Sequence, residues 1–155
     1  MGLFVWLEAT GLADWVRMSS EGYPICITLH AIGMAVMVGI VIMMDMRLLG
    51  KFRGIPLPTL RRWYGVAWIG FAINTVSGFG MFTAQATEYL VHVIFMVKMS
   101  LVFLGAITAA IQQSAIARDG VAWGEIVPRG QRSLALASIL IWTTAIVTGR
   151  LTAYL

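Results

Sequence analysis

Residues 24–44 read PICITLHAIGMAVMVGIVIMM. The run holds no charged side chain, and its one strongly polar group is an imidazole. A helix rises about 1.5 Å per residue, so roughly 20 such residues cross about 30 Å of hydrocarbon. The apolar residues follow one another without period-two alternation, which argues for a helix rather than a barrel strand. Lipid offers no partner to free backbone N–H and C=O groups, so a spanning segment must satisfy them internally. Pro24 suits a first helical turn, where its missing N–H costs nothing. The first span is therefore placed at residues 24–46.

Three further stretches have the same character, at residues 63–84, 89–116 and 134–154. Composition agrees with them. Hydrophobic residues make up 59% of the 155, and only 12% are Asp, Glu, Lys or Arg. That charged share is about half of what a soluble domain carries. The mean hydropathy of +0.85 points the same way. A soluble enzyme, a nucleic-acid-binding domain and a disordered chain are excluded, because each needs a charged or polar surface. The single cysteine, Cys26, excludes an intramolecular disulfide. The fold class expected is an all-α integral membrane four-helix bundle, one domain over residues 1–155, with no internal repeat.

Charge sets the expected orientation. Arg47, Lys51, Arg53, Arg61 and Arg62 lie between the first two spans, and Arg118, Arg129 and Arg132 between the last two. Glu8, Asp14 and Glu21 precede the first span, and Glu88 lies between the second and third. The positive-inside rule then puts both termini outside, on the periplasmic side of a bacterial inner membrane. Residues 3–18, LFVWLEATGLADWVRM, gather Leu3, Trp6, Leu7, Leu12, Trp15 and Val16 broadly on one side. This predicts an interfacial amphipathic helix rather than a signal peptide, since acids stand where an apolar h-region would be. Trp63, Tyr64, Tyr89 and Tyr154 fall at span ends, as an aromatic belt requires.

The chain has two histidines, and both fall within expected spans. His30 lies about 9 Å beyond Pro24 and His92 about 5 Å beyond Tyr89, on spans running in the same direction. Two imidazoles at similar depth across a bundle core are the ligands of a six-coordinate haem b. Gly33, one turn from His30, would let a flat macrocycle approach the backbone. Phe95, Met96, Met99 and Phe103 continue the face of His92. Arg150 returns to the same depth on the fourth span and would pair with haem propionates. A lone membrane histidine is otherwise a hydrogen bond between helices. No CxxCH occurs, which excludes covalent haem c.

Lys98 lies near the expected midplane, where a charge costs about 2.5–3.5 kcal/mol on insertion scales. Asn74 and Ser77 on the second span and Thr143 and Thr144 on the fourth share its expected depth. It suits an anionic cofactor group, a quinone carbonyl or proton transfer; the bland alternative is a lysine bending to internal water. Asp45, beside Arg47, reads as a local ion pair at the cytoplasmic end. Cys26, His30, Met34 and Met37 offer a weaker Cu(I) reading through soft ligands on one helix, although methionine is commonly adaptable apolar filler. Gly65, Gly70, Gly78 and Gly80 on the second span mark close helix approach.

The segments HAIGMAVMVGIVIMMDMRLLG, FMVKMSLVFLGA and TGRLTAYL resemble those of a group of small, uncharacterised bacterial four-helix membrane proteins. The resemblance covers about residues 3–155 apart from the loop around 119–130, and it matches at His30, Asp45, Arg47, Lys98, Gly149 and Arg150. More loosely, the chain resembles four-helix b-type cytochromes and CopD-like membrane domains. With two histidines it has ligands for one bis-histidine haem. The function expected is a haem b electron-transfer subunit between a periplasmic redox protein and quinone. His30 and His92 would bind iron, Arg150, Gly33, Lys98 and Asn74 would line the cofactor site, and partner subunits or further copies would complete a complex. A copper or small-solute transport component, or a non-catalytic scaffold subunit, are the competing readings.

Overall fold

The computed structural model describes residues 2–123 and 126–152, and these are helical with short connections. Two short helices, α1 (Gly2–Glu8) and α2 (Gly11–Met18), precede the long α3 (Gly22–Leu48). A loop and α4 (Leu57–Arg61) lead into α5 (Trp63–Ala84). A turn of helix, α6 (Ala86–Tyr89), then leads to α7 (Val93–Trp123), and α8 (Arg129–Leu151) follows. Four helical segments are long and apolar enough to cross a membrane: Gly22–Leu48, Leu57–Ala84, Val93–Val121 and Arg129–Leu151. They are consistent with a multi-pass membrane protein. The ends of the bundle are named here by charge. The basic end carries Arg47 to Arg62, and the acidic end carries Glu8 to Glu21 and Glu88.

The expected single helix over residues 3–18 is two helices. Thr10 divides them: its Oγ1 donates to Leu7 O at 2.7 Å and accepts from Ala13 N, capping α2. The break lets the segment fold onto the bundle. Ala13 and Val16 are buried, and Phe4 meets Phe82 edge-on at 6.5 Å. Glu8 reaches α6, accepting from Thr87 N at 2.8 Å and Thr87 Oγ1 at 2.7 Å. Those bonds hold the Glu8 carboxyl below its ordinary range. Leu3, Trp6, Leu12 and Trp15 stay exposed, so an apolar face for the membrane surface survives.

At the basic end α3 stops at Gly50, whose φ of +94° gives the left-handed cap that favours glycine. Pro56 and Pro58 start α4 after an extended turn. The main core lies in this half. It joins Met37, Val41, Met44 and Leu48 of α3 to Leu57 and Leu60 of α4, Tyr64 and Ala67 of α5, Ala109 and Ile116 of α7, and Ala135 and Trp142 of α8. Burial falls away toward the acidic end. In α7 every buried residue lies between 105 and 120 and none over 93–104, and in α8 none lies beyond Ala145 among the described residues. A small second core, Val16, Cys26 and Ala84, holds α2 to the acidic end of α3 and α5.

Apart from shifts of two or three residues at the ends of α3 and α8, the span limits differ from expectation at three places. α7 starts at Val93 rather than 89, because residues 86–89 form their own turn. It runs on to Trp123, past Arg118 and Asp119, which bond to each other at 3.2 Å on the helix rather than in a loop. α8 starts at Arg129, directly after Pro128. Tyr154, expected in the aromatic belt, lies outside the described residues.

Candidate functional site: a histidine clamped between α3 and α5

A close approach of α3 and α5 organises the site. On α3, Gly33 lies so near α5 that a Cβ there would stand 2.6 Å from both Asn74 N and Gly70 O. Gly70 in turn would place a Cβ 2.9 Å from Gly33 O. Two glycines facing each other thus let the backbones touch. Gly33 therefore serves α5, and the face expected for a macrocycle is filled by Asn74 and Gly70. Its position still serves the histidine, because the approach allows a reciprocal pair of bonds. Asn74 Nδ2 donates to His30 O at 2.8 Å, and His30 Nδ1 meets Asn74 O at 2.9 Å. Asn74 was expected beside Lys98; it is turned to His30 instead.

A backbone carbonyl only accepts, so Nδ1 of His30 carries the hydrogen. That fixes the tautomer and leaves Nε2 with its lone pair. Gly78 makes room for the ring: a Cβ there would come within 2.9 Å of Cε1. His30 is half-buried, and Nε2 has no hydrogen-bond partner among the described residues. A carbonyl-anchored imidazole with an open Nε2 is how proteins present histidine to a metal.

Lys98 is the α7 residue at this level. Its Cδ and Cε lie against α8, with Cε 3.6 Å from where a Cβ on Gly149 would stand. Its Nζ stands 5.9 Å over the Phe95 ring, and its charge reaches His30 electrostatically. Neither Lys98 nor Arg150 pairs with an acid among the described residues. Arg150 is exposed, one residue beyond Gly149. Thr143 and Thr144 are exposed, and Ser77 bonds its own helix at Ile73 O.

His92 stands elsewhere. It immediately precedes α7, and its carbonyl accepts from Met96 N at 3.2 Å. Between its level and that of His30 lies an aromatic stack: Phe82 on Phe95 at 5.8 Å and Tyr89 on Phe95 at 5.0 Å. Counted along α5 and α7, His92 is about 10 Å further toward the acidic end than His30. The structure brings His30, Asn74, Gly33 and Lys98 to one level, and it does not bring His92 to it. For the copper reading, Cys26 is buried against Gly80 and Met37 is in the main core. No cluster of three or more His, Cys, Asp or Glu suited to a metal occurs among the described residues.

These features run through nearly the whole chain, and so does a family match. The chain belongs to the family of unknown function DUF6644, whose model matches residues 3–155. No curated protein and no solved structure matches it. Membership supports the expected likeness to an uncharacterised family.

One group of residues escaped the sequence. Asp45 was expected to pair with Arg47. It is fully buried, and Gln112 Nε2 donates to its Oδ1 at 2.6 Å. Arg47 turns away, its Nε donating to Ile55 O at 2.8 Å and Nη2 to Arg53 O at 3.4 Å, so that it staples the α3–α4 loop. Ser138 of α8 lies beside the Asp45 carboxylate without a well-formed bond to it, and Tyr64 of α5 lies within its electrostatic reach. Each long helix thus gives one polar side chain to a single buried cluster. The only trace in the sequence is Gln112–Gln113 inside an apolar run. Gln113 has its own task, accepting from Trp68 Nε1 at 2.8 Å.

Proposed function

We propose that this protein is a membrane-embedded haem b carrier in which His30 supplies an axial ligand from Nε2. The observation that carries the reading is the clamp. Nδ1 is committed to Asn74 O, and the ring is seated on Gly78, so Nε2 is presented at a fixed angle. The residues fit the group. Lys98 and Arg150 are two cations with no acid beside them among the described residues, on stretches of α7 (93–104) and α8 (146–151) that hold no buried residue. Two propionates would neutralise them. Phe95 and Phe82, stacked on each other, form an apolar boundary next to that level.

The haem, when bound, supplies the one-electron couple. The chain's own residues do the rest. Asn74 orients His30 through the Nδ1–H bond. Lys98 and Arg150 hold the anionic edge. The looser likeness to four-helix b-type cytochromes belongs to this reading, and so does the route from a periplasmic redox protein to quinone. With the termini outside, as loop charge requires, the His30 level is nearer the periplasm. Electrons would arrive from a partner protein. His92, two turns beyond Lys98, is the sequence's candidate for the second axial position; its place outside the aromatic stack makes His30 the ligand on which haem retention depends. The test is the reduced-minus-oxidised spectrum of the purified protein, wild type against His30→Ala. A b-type α band lost in the variant supports the reading, and its persistence overturns it.

A further inference from the structure

The Asp45 cluster lies apart from His30, in the packed half of the bundle. Its geometry poses a problem of charge and of hydrogen bonds. Asp45, Gln112, Ser138 and Tyr64 are each at most 0% exposed. Asp45 takes part in no ion pair among the described residues. A bare carboxylate so placed, with one neutral amide donor, costs several kcal/mol. Four oxygens there also have no partner: Asp45 Oδ2, Gln112 Oε1, Ser138 Oγ and Tyr64 OH. Buried polar atoms are nearly always bonded, so four orphans around one acid ask for a missing particle.

The pairing of Asp45 with Gln112 identifies it. The amide donates from Nε2 to one carboxylate oxygen at 2.6 Å. A carboxyl and an amide joined on one side present their other oxygens, Oδ2 and Oε1, as neighbours. Both are acceptors when the acid is ionised, and two acceptors cannot bond. One hydrogen on Oδ2 turns that repulsion into an O–H···O bond, completes a cyclic acid–amide pair, and removes the buried charge.

We propose that Asp45 and Gln112 form a buried proton-binding site, with the proton held on Asp45 Oδ2 toward Gln112 Oε1. The hydroxyl of Ser138 lies beside the carboxylate, and the Tyr64 phenol lies within its electrostatic reach. The groups facing Asp45 are few. From α5 the titratable one is the Tyr64 phenol; α7 and α8 bring the neutral Gln112 and Ser138. On α3 itself Arg47 is engaged by loop carbonyls. Proton uptake changes the site from one negative charge to none, and the proton returns to water on release. The inference does not rest on haem at His30.

Infrared difference spectroscopy on the full chain in lipid nanodiscs tests it, wild type against Asp45→Asn, with no haem needed. The wild type should show a protonated-carboxyl C=O band, shifted in D2O, titrating away as pH rises and entirely lost in Asp45→Asn. That variant keeps the shape of the neutral acid and should melt with the wild type. If it fails to fold, Gln112→Leu keeps the acid and removes its acceptor, and the C=O band should move toward the free-acid position. Carboxylate bands alone from Asp45 at every pH would overturn the proposal, as would an acid band unmoved in Gln112→Leu. Stabilisation of the wild type by NaCl but not choline chloride, absent in Asp45→Asn, would also overturn it, because a metal ion would then occupy the site.

Discussion

Gly33→Ala probes the helix approach on which the histidine clamp depends. The new Cβ would stand 2.6 Å from Asn74 N and from Gly70 O, and both are backbone atoms that no rotamer change can move. Relief to the 3.4 Å of ordinary contact needs α3 and α5 to part by about 0.8 Å. Overpacking of this kind costs about 1–3 kcal/mol. The His30–Asn74 bonds, at 2.9 and 2.8 Å, stretch at the same time, and each is worth about 0.5–1.5 kcal/mol net. The expected loss is roughly 2–6 kcal/mol if both bonds go with the contact. Gly39→Ala is the matched control. It lies on the same helix with nothing within 4 Å of the new Cβ, and should gain up to about 1 kcal/mol of helix propensity or change nothing. Thermal unfolding in detergent, followed by helical circular dichroism, reads both. If Gly33→Ala melts with Gly39→Ala and the wild type, the α3–α5 contact is not what holds His30 in place.

Other perturbations separate the parts of the account. Lys98→Met should leave the fold as stable or more so, since it removes a half-buried cation with no acid beside it among the described residues, while lowering haem retention; unchanged retention counts against a propionate role. His92→Ala should retain haem, because His92 sits beyond the aromatic stack, and loss of haem equal to that of His30→Ala would restore the bis-histidine pair. For Glu8, Thr87 depresses the folded carboxyl below its ordinary 4.5, so its stabilisation is present above that value and is lost as pH falls through the lower, folded one. Proteolysis of α1 and α2 should therefore rise in acid, and in Glu8→Gln it should be raised at neutral pH and respond less to acid.

The four spans were legible because lipid imposes their length and polarity residue by residue. The finer features were not, and the reasons differ. The division at Thr10 was written in the Thr10–Gly11 pair, but the apolar side of residues 3–18 carries across it and masks the cap. Asp45 beside Arg47 resembled a local ion pair, since adjacency in sequence says nothing of which way two side chains leave a helix. The partners of Asp45 come from three other helices, and no local pattern encodes such a meeting. Gly33 showed that close approach occurs near His30, without showing that the approaching body is α5. The equal depth of the two histidines rested on where the third span begins. Val93 replaces residue 89 as that start because residues 86–89 are tied to Glu8 through Thr87, a contact 79 residues long in sequence.

Haem ligation by His30 Nε2, as proposed, can be tested directly. The most direct measurement is a pyridine haemochrome assay with a reduced-minus-oxidised spectrum, on wild type and His30→Ala purified from cells supplied with haem. The account predicts one haem b per chain in the wild type and none in the variant, with both folded alike by circular dichroism. A flat spectrum from folded wild-type protein, or haem retained in full by His30→Ala, would contradict it.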